Sequence, residues 1–293
     1  MASLCRADSQ GVSLKILIWG SGGFLGRHFR EALGQLEGVV LLAPPRSQVE
    51  LSNEKAVFEA TKTFHPDLVI NCAVKVSDLG QSIKASMNVI RSLPEKSLYF
   101  QVGSGAEYSR LECPENAAEN DFGLRIPNDD YGIFKFLTAQ TLDTVIPNRF
   151  LNLRTFGVFG VGEESRRIIP SLVTGALNAK RAQLSQDASF SYVSVNDLVD
   201  FLLGWISRGL YLRGHYNFCG DTPIRLSDVL TLVSQKVPNA IYLIENRQNN
   251  GSPYYGSSRL LTESAPWFRF RSLHKEISDY IDALLISSSK AES

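Results

Sequence analysis

The sequence predicts an α/β chain built on a doubly wound parallel sheet, with a smaller lobe toward the C-terminus. Three observations predict it. Short runs that read as continuously apolar alternate with stretches of helical spacing through the first half of the chain. Runs this uniformly apolar have no wet face, so they read as strands covered by helices on both sides. The first run passes directly into a glycine-rich turn and then a helix.

Residues 15–19 (KILIW) are the first strand, ending at Gly20. Residues 24–36 follow, with Phe24, Leu25, Phe29, Leu33 and Leu36 at helical spacing. Residues 39–42 are a second strand, closed by Pro44 and Pro45, which cannot continue a ladder. Asn53 is suited to cap a helix over 56–64. Then come a strand over 67–72, a helix over 82–90, a strand over 98–102, a helix over 130–145 and a strand over 150–153. Beyond about residue 160 the rhythm loosens. Helices are expected over 168–179, 197–206, 226–236 and 273–286, and strands over 190–195 and 216–219. The stretch 246–258, rich in Asn, Gly, Ser and Tyr, reads as a loop. The organisation is then a loose tail over 1–14, a sheet domain over 15–160 with returns near 190–219, a second lobe over most of 161–286, and a frayed end at 287–293.

Composition narrows the classes. With 293 residues and 44% hydrophobic content the chain can bury a sizeable core as one large domain or two smaller ones. Its 30 basic and 30 acidic residues cancel, so neither nucleic acid nor a membrane surface is an expected partner. No run approaches the roughly 18 apolar residues of a bilayer span. The N-terminal segment carries Arg6 and Asp8 and lacks the apolar stretch of a secretory signal, so a cytoplasmic location is expected. Cys5, Cys72, Cys113 and Cys219 are widely spaced, which suits reduced thiols better than a disulfide framework or a metal site.

The turn Gly20-Ser21-Gly22-Gly23-Phe24-Leu25-Gly26 lies between the first strand and the first helix. Gly20 permits a sharp turn, Gly23 leaves space for a pyrophosphate, and Gly26 lets helix and strand approach closely. The helix N-terminus offers its free N–H groups to the anion. At the end of the second strand, where an acid would bind an adenosine ribose, stands Ala43-Pro44-Pro45-Arg46-Ser47. Arg46 is suited to a 2′-phosphate, so NADP is expected, with NAD left open because Glu50 can reach a ribose.

Tyr131 and Lys135 stand at i and i+4 on a helix and share a face. The ammonium favours the phenolate and suits the pair to proton transfer. Ser104 follows the fourth strand, at the carboxyl end where an open α/β sheet binds its ligands. It can hydrogen-bond a carbonyl or alcohol, and Gly103 and Gly105 are expected to leave room for that substrate.

In this order the glycine turn, the serine and YxxxK resemble the extended short-chain dehydrogenase/reductases, the NAD-dependent epimerase/dehydratase family, over roughly residues 15–286. Residues 71–74 resemble the strand end beside the nicotinamide ribose, Asn88-Val89 the family's Asn-Val helix pair, 153–160 its LRxxNVYG segment, and 193–198 the start of a later helix. The resemblance implies a Rossmann-type domain, a C-terminal lobe for a nucleotide-sugar, and Ser104, Tyr131 and Lys135 as catalytic residues. It also implies cofactor contacts from Gly20, Gly22, Gly23, Phe24, Leu25, Gly26, Arg46, Leu51, Cys72, Ala73, Val74, Tyr131, Lys135, Phe156 and Val158.

Departures from the family select among its reactions. The 4,6-dehydratases and decarboxylases carry an acid two residues after the catalytic Ser or Thr, and the C3/C5 epimerases a Cys; here it is Ala106, and 161–167 hold no His. The expected chemistry is therefore confined to one carbon. Phe190 replaces an arginine near the sugar-nucleotide phosphate, and Gly157 replaces the Asn of LRxxNVYG. Arg166 and Arg167 are candidates to replace the missing phosphate ligand, Lys75 and Ser77 candidates to touch the sugar, and Glu107 an acid near Ser104. The first expectation is an NADP-dependent reductase of a nucleotide-linked 4-keto-6-deoxyhexose. The alternatives are a nucleotide-sugar C4 epimerase with retained NAD and a non-catalytic dinucleotide-binding protein. Helices 82–90 and 130–145 resemble the family's dimer-forming pair, so a homodimer is expected.

Overall fold

The computed structural model describes residues 13–74, 78–109, 112–220, 222–250 and 252–291, with 246–250 and 290–291 described by backbone alone. The first half runs β1 (Leu14–Trp19), α1 (Phe24–Gly34), β2 (Val39–Leu42), α2 (Glu54–Phe64), β3 (Leu68–Asn71), α3 (Leu79–Ser92), β4 (Leu98–Ser104), α4 (Asp130–Val145) and β5 (Phe150–Thr155). The second half runs β6 (Gly157–Phe159), α5 (Ile168–Asn178), β7 (Arg181–Asp187), β8 (Ser189–Phe190), β9 (Tyr192–Ser194), α6 (Val195–Ser207), β10 (Gly214–Phe218), β11 (Ile224–Arg225), α7 (Leu226–Lys236), β12 (Ile241–Asn250), α8 (Arg259–Ser264) and α9 (Leu273–Ala291).

Six strands form one sheet in the order β10-β5-β4-β3-β1-β2, and every pairing is parallel. Successive residues of β1 point to opposite faces, which is why residues 16–19 are all apolar and buried. Ile16 and Ile18 pack with Phe29 of α1 and with Phe201 and Trp205 of α6. Leu17 and Trp19 pack on the other face with Val57 of α2, Val89 of α3 and Leu142 of α4. Both sets are buried, so the doubly wound architecture expected from the sequence is present. A separate core joins Phe159, Tyr192, α5, β7, α7 and α9. Among the described residues no helix is long and apolar enough to cross a membrane.

Caps fix where the helices begin. Asn53 Oδ1 accepts from Ala56 N at 3.2 Å, as the sequence suggests, and Asp129 Oδ1 accepts from Gly132 N at 2.9 Å to start α4. Asp78 starts α3 at Leu79, earlier than the expected residue 82, by accepting from Gln81 N at 2.9 Å.

The larger differences lie in the second half. Arg181–Asp187, not expected as a strand, pairs in parallel with β12, and β12 takes in 246–250 from the expected loop. Its pairing is made by backbone groups, so polar side chains do not prevent it. The expected frayed end is helical to Ala291. Ser287, Ser288 and Ser289 bond their hydroxyls to the carbonyls of Leu284, Leu284 and Leu285 and so continue α9 rather than end it.

Candidate active site

The carboxyl ends of β1 and β3, in register at Trp19 and Asn71, open onto a cleft of about 580 Å³. Gly20, Gly22, Gly23, Phe24 and Leu25 line one side; Arg46, Glu50 and Leu51 another; Cys72, Ala73 and Val74 a third. Gly20 has φ +78°, and a Cβ there would stand 2.6 Å from Ala73 N. A Cβ on Gly26 would stand 2.2 Å from Gly20 O, so helix and turn are in backbone contact. Gly22 has no atom within 4 Å of such a Cβ and faces open cleft. Gly23 caps α1 without a side-chain hydrogen bond, and the first turn carries no acid. These features fit a pyrophosphate against the helix N-terminus. Ser21 Oγ donates to Ala43 O at 3.1 Å, and Asn88 Nδ2 donates to Leu51 O at 2.8 Å, tying the second wall in place.

Arg46 lies in the cleft wall, with its Nε 2.6 Å from Glu50 Oε2. The two groups expected to compete for the cofactor ribose are thus paired with each other. Burial pushes the Cys72 thiol up to about 12, with the Lys135 ammonium pulling the other way, so this cleft residue is a neutral thiol.

Ser104, Tyr131 and Lys135 are not on the cleft wall just described; they gather beside it. Lys135 is buried, and its Nζ donates to Val102 O at 2.7 Å and stands 5.8 Å from the Tyr131 ring centroid. Its neighbour Phe134 reaches the cleft. A Cβ on Gly132 would stand 3.1 Å from Ala106 O, so the first turn of α4 lies directly on the 3₁₀ turn Gly105–Tyr108 that follows Ser104. Ser104 Oγ accepts from Ala106 N at 3.1 Å.

The glycines beside Ser104 do a different job from the one expected. A Cβ on Gly103 would stand 2.3 Å from Asn152 Oδ1 and 2.7 Å from Glu107 Oε1; one on Gly105 would stand 2.6 Å from the Phe156 ring. They make room for protein side chains. Glu107 is 1% exposed, and its carboxylate is taken up by protein donors. Its Oε1 accepts from Ser104 N at 2.9 Å and its Oε2 from Arg154 Nε at 2.6 Å. Burial works against the Arg154 charge, but Glu107 and Tyr108 hold it above its ordinary pKa.

Other expected site residues lie elsewhere. Phe156 is packed between Tyr108 and Tyr254, at ring distances of 6.2 and 5.0 Å, and Val158 is buried in the main core; neither lines the cleft. Phe156 fills the space left by Gly105, and Val158 pairs with Val193 of β9. Arg166 and Arg167 are exposed but engaged, Arg166 with Glu164 and Arg167 with Glu163 at 3.6 Å. Phe190 stacks near Tyr192 and Tyr254, and the Tyr192 ring would stand 2.8 Å from a Cβ on Gly157. Aromatic rings therefore occupy the ground where the resemblance leads one to look for an arginine and an asparagine. Lys75 and Ser77 lie outside the described residues.

Two cleft features were missed from the sequence. Ser82 and Ser86 of α3 reach the cleft, a small-residue spacing that marks close approach on a helix face. Glu164 reaches it because Arg27 and His28 of α1 hold the carbonyls of Gly162 and Val161 at 3.0 and 2.9 Å; local sequence gives no sign of that long-range tie.

A family model, the NAD dependent epimerase/dehydratase family, matches residues 16–217. The chain belongs to this family. The motif reading and the family model agree, and both make the protein an NAD(P)-dependent enzyme of the extended short-chain dehydrogenase/reductase type. Similar solved structures include a dTDP-4-dehydrorhamnose reductase from Clostridium acetobutylicum, at 18% identity and TM-score 0.78, covering 93% of this chain and 100% of that one. A UDP-glucose 4-epimerase from Thermus thermophilus, solved with NAD, matches at 18% identity and TM-score 0.77 over 92% of this chain and 99% of that one. A GDP-L-fucose synthetase from Naegleria fowleri bound to NADP matches at 12% identity and TM-score 0.78 over 94% and 95%. Likeness at these identities is likeness of fold. No curated protein matches the chain.

Proposed function

We propose that the protein is an NADP-dependent reductase of a nucleotide-linked 4-keto-6-deoxyhexose. One observation carries the choice within the family. Ala106 is fully buried where eliminating relatives are expected to carry an acid, and the nearby Glu107 is locked between Ser104 N and Arg154. Ser104, Tyr131 and Lys135 are then the groups left to handle protons, which suffices for hydride chemistry at a single carbon.

The glycine turn, the uncapped start of α1 and the Leu51 wall would hold the dinucleotide, with Arg46 toward a 2′-phosphate. When bound, the nicotinamide supplies the hydride. Tyr131 gives its proton to the sugar carbonyl oxygen, and Ser104 Oγ hydrogen-bonds that oxygen as negative charge develops. Lys135 spends one of its three N–H donors on Val102 O and keeps the others for the phenol and the ribose. The lobe built around α5, α7 and α9 takes the nucleotide-sugar, and Arg166 and Arg167, just before α5, are the candidate diphosphate ligands. A homodimer through α3 and α4 is supported by the exposed Leu137 and Val145 on α4.

The Arg46–Glu50 pair favours one second reading. A carboxylate in the cleft wall suits ribose hydroxyls, hence retained NAD and C4 epimerisation. A reductase consumes NADPH stoichiometrically with a nucleotide-linked 4-keto sugar; an epimerase interconverts C4 alcohols with no net change in nicotinamide absorbance. Tyr131→Phe should cut turnover by about 100-fold or more while leaving NADPH affinity within about two-fold. Turnover that survives this substitution removes the mechanism.

A further inference from the structure

We infer that Glu107 is a positioning residue that fixes catalytic Ser104 through its backbone, with Arg154 as its anchor; the inference rests on the reading of Ser104 given above. The last residues of β4 are held group by group. Val102 O accepts from Lys135 Nζ at 2.7 Å, Gly103 O from Thr155 Oγ1 at 3.2 Å, and Ser104 N donates to Glu107 Oε1 at 2.9 Å. The first and third of these clamps come from different elements: Lys135 belongs to α4, and Glu107 to the turn that Ser104 itself caps.

Glu107 is immobilised in turn. Arg154 Nε holds its other oxygen at 2.6 Å, with both side chains no more than 2% exposed, and Asn152 Nδ2 donates to the same carboxylate at 3.2 Å. Arg154 continues to Tyr108 OH at 3.1 Å, which donates to Asn217 Oδ1 of β10 at 2.7 Å. Asn152 also meets His215 Nδ1 at 2.9 Å, and His215 Nε2 stands 3.2 Å from Asp143 of α4. The serine turn is therefore referenced to β5, β10 and the same helix that carries Tyr131 and Lys135. A buried charge pair adds little stability over an apolar pair of equal volume. What it adds here is a single fixed place for the Ser104 N–H, and with it the direction of Oγ.

The test uses Glu107→Leu with Arg154→Met, which removes both charges together so that neither is stranded, and Glu107→Gln with Arg154→Met, which restores an acceptor for the Ser104 N–H. Each is made with and without Ser104→Ala, and kcat and KM are measured with NADPH and a nucleotide-linked 4-keto-6-deoxyhexose. The Leu/Met pair should lower kcat about ten-fold or more with the KM for NADPH within about two-fold, because a misplaced catalytic group costs rate rather than cofactor binding. The Gln/Met pair should recover most of that loss. In the Ser104→Ala background the Leu/Met pair should cost less than about two-fold more, since there is no hydroxyl left to position. A loss that multiplies with Ser104→Ala, or a Leu/Met variant with unchanged kcat, overturns the inference and leaves the proposed reaction standing. Wild-type protein without NADPH turnover, or Ser104→Ala with full turnover, overturns the reading of the site and the inference with it.

Discussion

Two turns at the carboxyl edge of the sheet look alike in sequence. One is Gly20-Ser21-Gly22-Gly23 after β1; the other is Gly103-Ser104-Gly105 at the end of β4. Their glycines answer to different neighbours. At the first turn, Gly20 and Gly26 are required by backbone a short distance away, while Gly22 faces open cleft. At the second turn, both glycines are required by side chains packed beneath the serine. The first turn is a cradle shaped for a ligand. The second is a fixed mount for one hydroxyl, built around a buried ion pair. Glycine in a motif thus reports close approach, and only the tertiary structure tells whether the approaching partner is ligand, backbone or side chain.

The largest effect should come from the cradle. Gly26→Ala sets a methyl 2.2 Å from Gly20 O and 2.8 Å from Ser21 Cα, and backbone cannot move aside as a side chain can. We expect a loss of about 3 kcal/mol or more in thermal or urea unfolding, together with loss of NADPH binding. Gly22→Ala, in the same turn, should leave unfolding unchanged and weaken NADPH binding, because its methyl meets nothing but the cleft. Equal unfolding for the two variants would erase the distinction between a structural and a ligand-facing glycine.

Gly103→Ala should be milder and of another kind. Its methyl meets the Asn152 amide oxygen at 2.3 Å and the Glu107 carboxylate at 2.7 Å, both on side chains. Displacing them costs about 1–3 kcal/mol of stability and lowers kcat, while NADPH affinity, measured by fluorescence titration, stays within about two-fold. Reduced NADPH affinity in this variant would mean that the mount and the cradle are one unit.

This contrast also marks how far the sequence could be read. The uniformly apolar strands, the Asn53 cap and the cradle were legible because each follows from local chemistry: two covered faces, one orphaned N–H, one close backbone approach. Ser104 followed by Glu107 three residues later carries a capping-box spacing, so the Ser104 N–H bond could have been foreseen. Its anchor Arg154 lies 47 positions away on β5, and nothing local points to it. The strand Arg181–Asp187 did carry a signal, with Ala182 and Leu184 buried and their neighbours exposed, but these two are its only apolar residues and the run was too polar to stand out. Its partner β12 stays paired with it where its sequence turns polar, and backbone pairing of that kind is invisible to hydrophobic pattern.

Glu163 sharpens the contrast with Glu107 and should show the smallest effect. Both side chains are almost fully buried. Glu107 has both oxygens bonded, whereas among the described residues no well-formed hydrogen bond closes on Glu163 Oε1, and its paired cation, Arg167, stands at 3.6 Å. Burial pushes the Glu163 carboxyl up from 4.5 to about 7, and the nearby Tyr280 hydroxyl and Arg167 guanidinium offset only part of the shift. Between these two values the folded protein holds a proton that the unfolded chain has released, so raising the pH favours unfolding. The penalty is absent below about pH 4.5, grows through the interval and is complete above about pH 7. Glu163→Gln removes it. The melting temperature of that variant should match wild type near pH 4 and exceed it by a few degrees at pH 8, with a ceiling of about 3 kcal/mol set by the size of the shift. A gap that does not change with pH would mean that the Glu163 carboxylate is as well satisfied as that of Glu107, and that burial without a well-bonded partner is not what separates the two acids.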